Sequence, residues 1–145
     1  MQWLYNIISM ELTKYDKKRL TKRISPMTKW LINVNLNTGA FYLNDLIRAN
    51  LDLKAGMSVL VAKDEKSGKW YISFDEGLHG FRLHGLRNNK GHFPRLMFGS
   101  KEPAHRLLSE VKATVGATFI ISQNPTKIDG HTWYRIITNT PARVN

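Results

Sequence analysis

The sequence predicts a mainly β fold with short helices, an α+β architecture built from a β-α-β-β unit that occurs twice. Three observations carry this. Apolar residues alternate with period two at the start of the body, where Trp30, Ile32, Val34 and Leu36 interleave with Leu31, Asn33, Asn35 and Asn37. Each half holds one short helix introduced by a capping residue and followed by a glycine. Finally, Ala55-Gly56-Met57-Ser58-Val59-Leu60 runs parallel to Val115-Gly116-Ala117-Thr118-Phe119-Ile120, and a Trp-Tyr doublet follows in both halves, at Trp70-Tyr71 and Trp133-Tyr134.

The elements follow in order. Leu12 to Lys29 is polar and basic, is closed by Ser25-Pro26 and reads as a short helix or an arm, with residues 1–26 ahead of the folded body. The first repeat, residues 30–74, opens with the alternating strand from Trp30 and turns at Asn37-Thr38-Gly39 into a second strand, Ala40 to Leu43. Asn44 caps a helix of about two turns, which Gly56 is expected to end. Met57 to Ala62 is a β-branched and aliphatic strand, Lys63 to Lys69 a charged hairpin loop, and Trp70 to Phe74 the returning strand.

Residues 75–94 are rich in Gly, His, Asn and Arg and read as a linker with room for one short strand. The second repeat, residues 95–138, begins with a strand from Arg95 to Phe98. Ser100 then caps a helix over about Glu102 to Ala113, with Pro103 in its first turn. Gly116 to Ile121 is a strand, Asn124 to Gly130 a loop, and Thr132 to Ile137 the closing strand.

The charge is the strongest functional signal. Among 145 residues, 22 Lys and Arg face 11 Asp and Glu, a formal net charge of +11. Its distribution is uneven. The first thirty residues carry Lys14, Lys17, Lys18, Arg19, Lys22, Arg23 and Lys29 against Glu11 and Asp16, while bases and acids balance over residues 31–75. Arg82, Arg87, Lys90 and Arg95 then face Glu76 alone. An excess concentrated in an arm and a linker points to a polyanion, nucleic acid first and an anionic membrane second. Double-stranded DNA is the expected partner, with RNA or single-stranded DNA as the variant.

The chain has no cysteine, which excludes disulfides, thiolate metal sites and cysteine nucleophiles and fits a reducing cytoplasm. No apolar run approaches the roughly 20 residues of a membrane helix. Trp3, Leu4, Ile7 and Ile8 fall at helical spacing, but a segment this short is expected to pack on the domain or to be a leader, not to anchor in a membrane. The histidines His79, His84, His92, His105 and His131 follow no metal-binding spacing, and no phosphate-binding loop, dinucleotide fingerprint or nucleophile elbow is present. The expectation is a protein that is not an enzyme and needs no metal or cofactor.

The stretch from Gly39 to Val61, GAFYLNDLIRANLDLKAGMSVLV, resembles the SpoVT/AbrB-type swapped-hairpin domain of bacterial transition-state regulators and antitoxins. The resemblance rests on Gly39, Phe41, Leu43, the Ile47-Arg48 pair, Leu51, Leu53-Lys54 and Gly56. Asn44 stands where that family commonly has proline, and Met57 where it has aspartate. The second repeat keeps the glycine but lacks the Ile-Arg pair, with Arg106 near its place.

In that family two units interleave into one barrel. The resemblance therefore implies that residues 27–145 form such a barrel within one chain, as an intrachain pseudo-dimer, monomeric or paired further through the barrel. It also implies a cytoplasmic DNA-binding transcriptional regulator. The residues expected to meet nucleic acid are Lys14, Lys17, Lys18, Arg19, Lys22, Arg23, Arg48, Arg82, Arg87, Lys90 and Arg95. The alternative is a non-enzymatic structural or interaction protein of a phage or mobile element, such as a virion component, an inhibitor or an antitoxin-like partner of another protein.

Overall fold

The computed structural model describes residues 28–74, 79–86 and 95–145. The arm before Thr28 and the segments 75–78 and 87–94 lie outside the described residues. Among the described residues, eleven strands and two helices occur in the order β1 (Trp30–Asn35), β2 (Ala40–Leu43), α1 (Asp45–Asn50), β3 (Ser58–Lys63), β4 (Trp70–Ser73), β5 (Phe81–Arg82), β6 (His84–Leu86), β7 (Arg95–Gly99), α2 (Lys101–Glu110), β8 (Gly116–Ile121), β9 (Thr126–Ile128), β10 (His131–Ile137) and β11 (Arg143–Val144).

The strands pair in the path β5-β3-β4-β10-β8-β1-β2-β7-β6, all antiparallel. Only Leu83 separates the two ends of that path, and its backbone N–H donates to the Met57 carbonyl at 2.9 Å. The sheet therefore curls into a nearly closed barrel. Such closure removes the exposed strand edges that an open sheet would present.

Alternation decides which side chains fill it. Trp30, Ile32 and Val34 of β1 point inward and are buried, and so do Phe41 and Leu43 of β2 and Ala117, Phe119 and Ile121 of β8. Phe98 stacks on Phe41 with ring centroids 4.7 Å apart, and on Phe81 at 6.0 Å. These three rings join β2, β7 and β5, so they hold the seam where the barrel closes. The helix α2 lays Ala104, Leu107 and Leu108 on the barrel across β1 and β2. Gly39 sits in the left-handed region at φ +70 beneath α2, where an added Cβ would lie 2.8 Å from the Lys101 Cα. Both requirements favour glycine there.

The two helices end alike. After α1, Asp52 takes φ 51, and the amides of Asp52 and Leu53 reach back to the carbonyls of Ala49 and Arg48. After α2, Lys112 takes φ 58, and the amides of Lys112 and Ala113 reach back to Ser109 and Leu108. This is the same Schellman closure twice, each with a non-glycine residue in the left-handed position. Gly56, expected to end the first helix, lies instead in the turn before β3. Because a side chain at such a position is strained, Lys112→Gly is expected to stabilise the fold by about 0.5–1 kcal/mol, read as a higher urea midpoint.

Other expectations shift in detail. The segment 75–94, which allowed one short strand, contributes β5 and β6 to the barrel wall. The loop expected over Asn124 to Gly130 contains β9, joined to β10 through a two-residue turn with both Asp129 (φ 50) and Gly130 (φ 79) left-handed. The Trp-Tyr doublets do not occupy equivalent faces. Trp70 points inward opposite Ile136, whereas Tyr134 is the inward residue of its pair and meets Trp30 edge-on at 5.3 Å. Trp133 faces outward, beside Tyr71 and Ala62.

At the tip of the β3–β4 hairpin, the Ser67 hydroxyl and the Lys66 amide donate to the Asp64 carboxylate. These bonds hold its carboxyl below the ordinary carboxylate range. That support is present above the unfolded-state value and is lost as pH falls through the lower folded-state value. Among the described residues, no helix is long and apolar enough to cross a membrane.

Candidate nucleic-acid interface

The outward face of the same alternation carries polar side chains. Register places Thr118 of β8, Asn33 of β1, Tyr42 of β2, Met97 of β7 and His84 of β6 side by side in one row across five strands. The Asn33 amide donates to the Thr118 hydroxyl at 2.8 Å, which fixes both groups on the sheet. Arg95, at the start of β7, lies with its guanidinium carbon 4.7 Å from the centre of the Tyr42 ring. From the other side, β11 pairs with β8 and sets Arg143 opposite Thr118.

Of these, Asn33, Tyr42, Thr118, Arg95 and Arg143, with Leu31, Asn44 and Ala142, line a groove of about 400 Å³. Its two charged side chains are both arginines, whose planar guanidinium forks suit phosphate, and no carboxylate lines it. Four strand spacings separate the backbones of Arg95 and Arg143, roughly 19 Å along the sheet. The floor between them is neutral and offers amide and hydroxyl groups. Such a surface can hold two anionic groups, one at each rim, with hydrogen-bonding atoms in between.

The basic arm joins the body at this groove. Asn44 caps α1 through the Ile47 amide, and its side-chain NH₂ also donates to the Lys29 carbonyl at 2.8 Å. Gln123 donates to the Thr28 carbonyl at 3.0 Å from the neighbouring strand end. Arg95 pairs with Leu86, so the segment 87–94 leaves and re-enters the barrel at the same end.

The sequence-predicted residues divide accordingly. Arg95 is in the groove. Arg82 is exposed on β5, opposite Ser58, with a long contact of 3.5 Å to the Gly56 carbonyl. The Arg48 side chain is only 18% exposed and lies 3.9 Å from Asp45 within α1, so it does not reach the groove. Lys14, Lys17, Lys18, Arg19, Lys22, Arg23, Arg87 and Lys90 lie outside the described residues. Sequence reasoning missed Asn33, Tyr42, Thr118 and Arg143. Asn33 was signalled by the polar half of the β1 alternation, but nothing local marks a two-residue strand at Arg143.

Among the described residues, the acids lie away from the groove, and most have a basic partner. Glu110 accepts from Lys63 at 3.2 Å and from the Trp70 indole at 2.8 Å, and Glu65 pairs with Arg106 at 3.1 Å. This cluster ties α2 to the β3–β4 hairpin, around a Trp70 ring flanked by the Lys63 and Arg106 cations. Its mixed charge makes it a poor surface for a polyanion. Among the described residues, no group of three or more His, Asp or Glu side chains is arranged to hold a metal ion. No family model, curated protein or solved structure matches this chain.

Proposed function

We propose that this chain is a small basic nucleic-acid-binding protein, a DNA-binding regulator of the swapped-hairpin kind, and that it contacts phosphates through the arm, the 87–94 segment and the Arg95–Arg143 groove. The observation that carries the reading is the groove itself. Two arginines and no carboxylate line it, and its Asn44 wall holds the Lys29 carbonyl just after the six-base arm. Phosphate neutralisation by Lys and Arg supplies most sequence-independent DNA affinity, and the net charge of +11 provides it.

The duplicated pseudo-dimer belongs to the same proposal, and strand pairing supports it. Exchange β1 for the β5–β6 segment, β2 for β7, β3 for β8 and β4 for β10. The pair β1–β2 then becomes β6–β7, β3–β4 becomes β8–β10, and β1–β8 becomes β5–β3. The pairs β2–β7 and β4–β10 map onto themselves. The matching Schellman closures after α1 and α2 fall at corresponding places. One barrel made of two such units needs no second chain to cover its core.

The test is binding of a fluorescent mixed-sequence duplex at low salt by the protein and by its Arg95→Glu/Arg143→Glu variant. Both substitutions are at exposed positions, so the fold should persist and circular dichroism should be unchanged. Affinity is expected to fall at least about tenfold, with a salt slope shallower by about 2. An unchanged affinity would remove the groove from the interface.

A further inference from the structure

The β9–β10 hairpin extends past the barrel as a two-stranded ribbon. Ile128 pairs with His131, Lys127 with Thr132 and Thr126 with Trp133, while the adjoining residues of β10 from Tyr134 onward pair with β4 and β8 in the barrel wall. Every residue from Thr126 to Gly130 is exposed. The ribbon is nevertheless firmly built. Its Asp129-Gly130 turn has positive φ at both positions, the type I′ geometry whose twist matches that of paired strands. At its base Trp133 is only 9% exposed and is set against Tyr71, Ala62 and Ile128 on the outer face of the barrel. The first hairpin, β3–β4, has no such extension; its shorter loop curls over Asp64 instead.

The position of the ribbon matters as much as its shape. Gln123, three residues before β9, holds the Thr28 carbonyl where the arm joins the barrel. The ribbon, the arm junction, Asn44 and Arg95 therefore share one end of the molecule, the end at which the predicted phosphate contacts converge. Alternation puts Thr126, Ile128, His131 and Trp133 on the anchored face of the ribbon and Lys127 and Thr132 on the other. There the Lys127 ammonium donates to the Thr132 hydroxyl at 2.7 Å, which presets a cation and a hydroxyl side by side.

We infer that the β9–β10 ribbon enters the major groove of DNA and reads base edges through Lys127 and Thr132. This rests on the DNA-binding reading above. Two strands about 4.8 Å apart, with their side chains, fit a groove about 12 Å wide. A lysine ammonium is a donor suited to the O6 and N7 acceptors of guanine, and a threonine hydroxyl can meet either a donor or an acceptor edge. Phosphate contacts from the arm and groove would set the register, and the ribbon would supply the sequence preference.

The experiment is selection from a random duplex pool with the full chain, followed by affinity measurements on the selected and a scrambled duplex. The same measurements are made for Lys127→Ala and Thr132→Ala, and on duplexes whose purines are replaced by 7-deaza analogues, which lack only the major-groove N7 acceptor. The protein is expected to enrich a preferred sequence. Lys127→Ala should weaken that duplex at least about fivefold while changing the scrambled one far less, and the 7-deaza duplex should lose the preference. Selection of the same sequence with the same affinity by both variants, or indifference to the 7-deaza purines, overturns the inference. Salt-sensitive binding without any enriched sequence overturns it too and leaves the DNA-binding reading standing. Absence of duplex binding at low salt overturns both.

Discussion

Phe98→Ala is expected to destabilise the protein by about 3–5 kcal/mol, the range for deleting a fully buried aromatic ring. Phe98 is completely buried, and its ring is shared between Phe41 of β2 and Phe81 of β5. Removing it opens a cavity at the seam and forfeits two stacked contacts at once. Since domains of this kind are stable by about 5–15 kcal/mol, the variant would lose a large share of its stability. Urea denaturation reads this as a lower midpoint with an unchanged slope. Phe98→Leu, which keeps most of the volume, is expected to lose markedly less. A loss below about 1 kcal/mol for the alanine variant would mean that the seam between β5 and β7 is not held by packing, against the closed-barrel account.

Removing residues 1–26 is expected to have the largest effect on duplex affinity. The arm holds Lys14, Lys17, Lys18, Arg19, Lys22 and Arg23, and the described barrel strands all begin after it, at Trp30. If all six bases meet phosphates, the truncated chain should show a log–log salt slope shallower by about 5. Its affinity near 50 mM salt should then fall by orders of magnitude, and its far-ultraviolet circular dichroism per residue should keep the β signature of the barrel. Equal affinity of the truncated and full chains would move the electrostatic contact from the arm to the barrel.

Much of the fold was legible because its signals are local. The β1 alternation from Trp30 gave both the strand and its buried face. The run from Gly116 to Ile121 fell on β8 without a shift, and Asn44 caps its helix through the Ile47 amide as its position implied. What was missed needed either finer turn chemistry or contacts distant in sequence. Asp129-Gly130 between two strand-forming stretches is a type I′ hairpin signal, and reading Asn124 to Gly130 as one loop passed over it. Asp52 and Lys112 take left-handed turns that favour glycine, so the nearby Gly56 drew the cap assignment away from its real place.

The doublets at Trp70-Tyr71 and Trp133-Tyr134 show a different difficulty. They align as text, yet the pairing of β10 with β4 sets Trp70 and Tyr134 on the same inward face, one residue out of step. In a strand a single-residue slip reverses every side chain, so identical words can face opposite ways. The candidate site was the least legible part. Arg95 was visible as a base, but its partner Arg143 reaches the groove only because β11 folds back on β8. Arg48, prominent in the resemblance to swapped-hairpin domains, turned out mostly covered on α1.

The central claim is that the charge serves a nucleic acid, and the most direct test is a salt titration of the full chain against a mixed-sequence DNA duplex. With the six arm bases, Arg87, Lys90, Arg95 and Arg143 as phosphate contacts, log affinity should fall linearly with log salt at a slope of about −9. That corresponds to a loss of roughly 10⁵ in affinity between 50 and 200 mM salt. No binding at 50 mM salt, or an affinity that does not change with salt, would contradict the account.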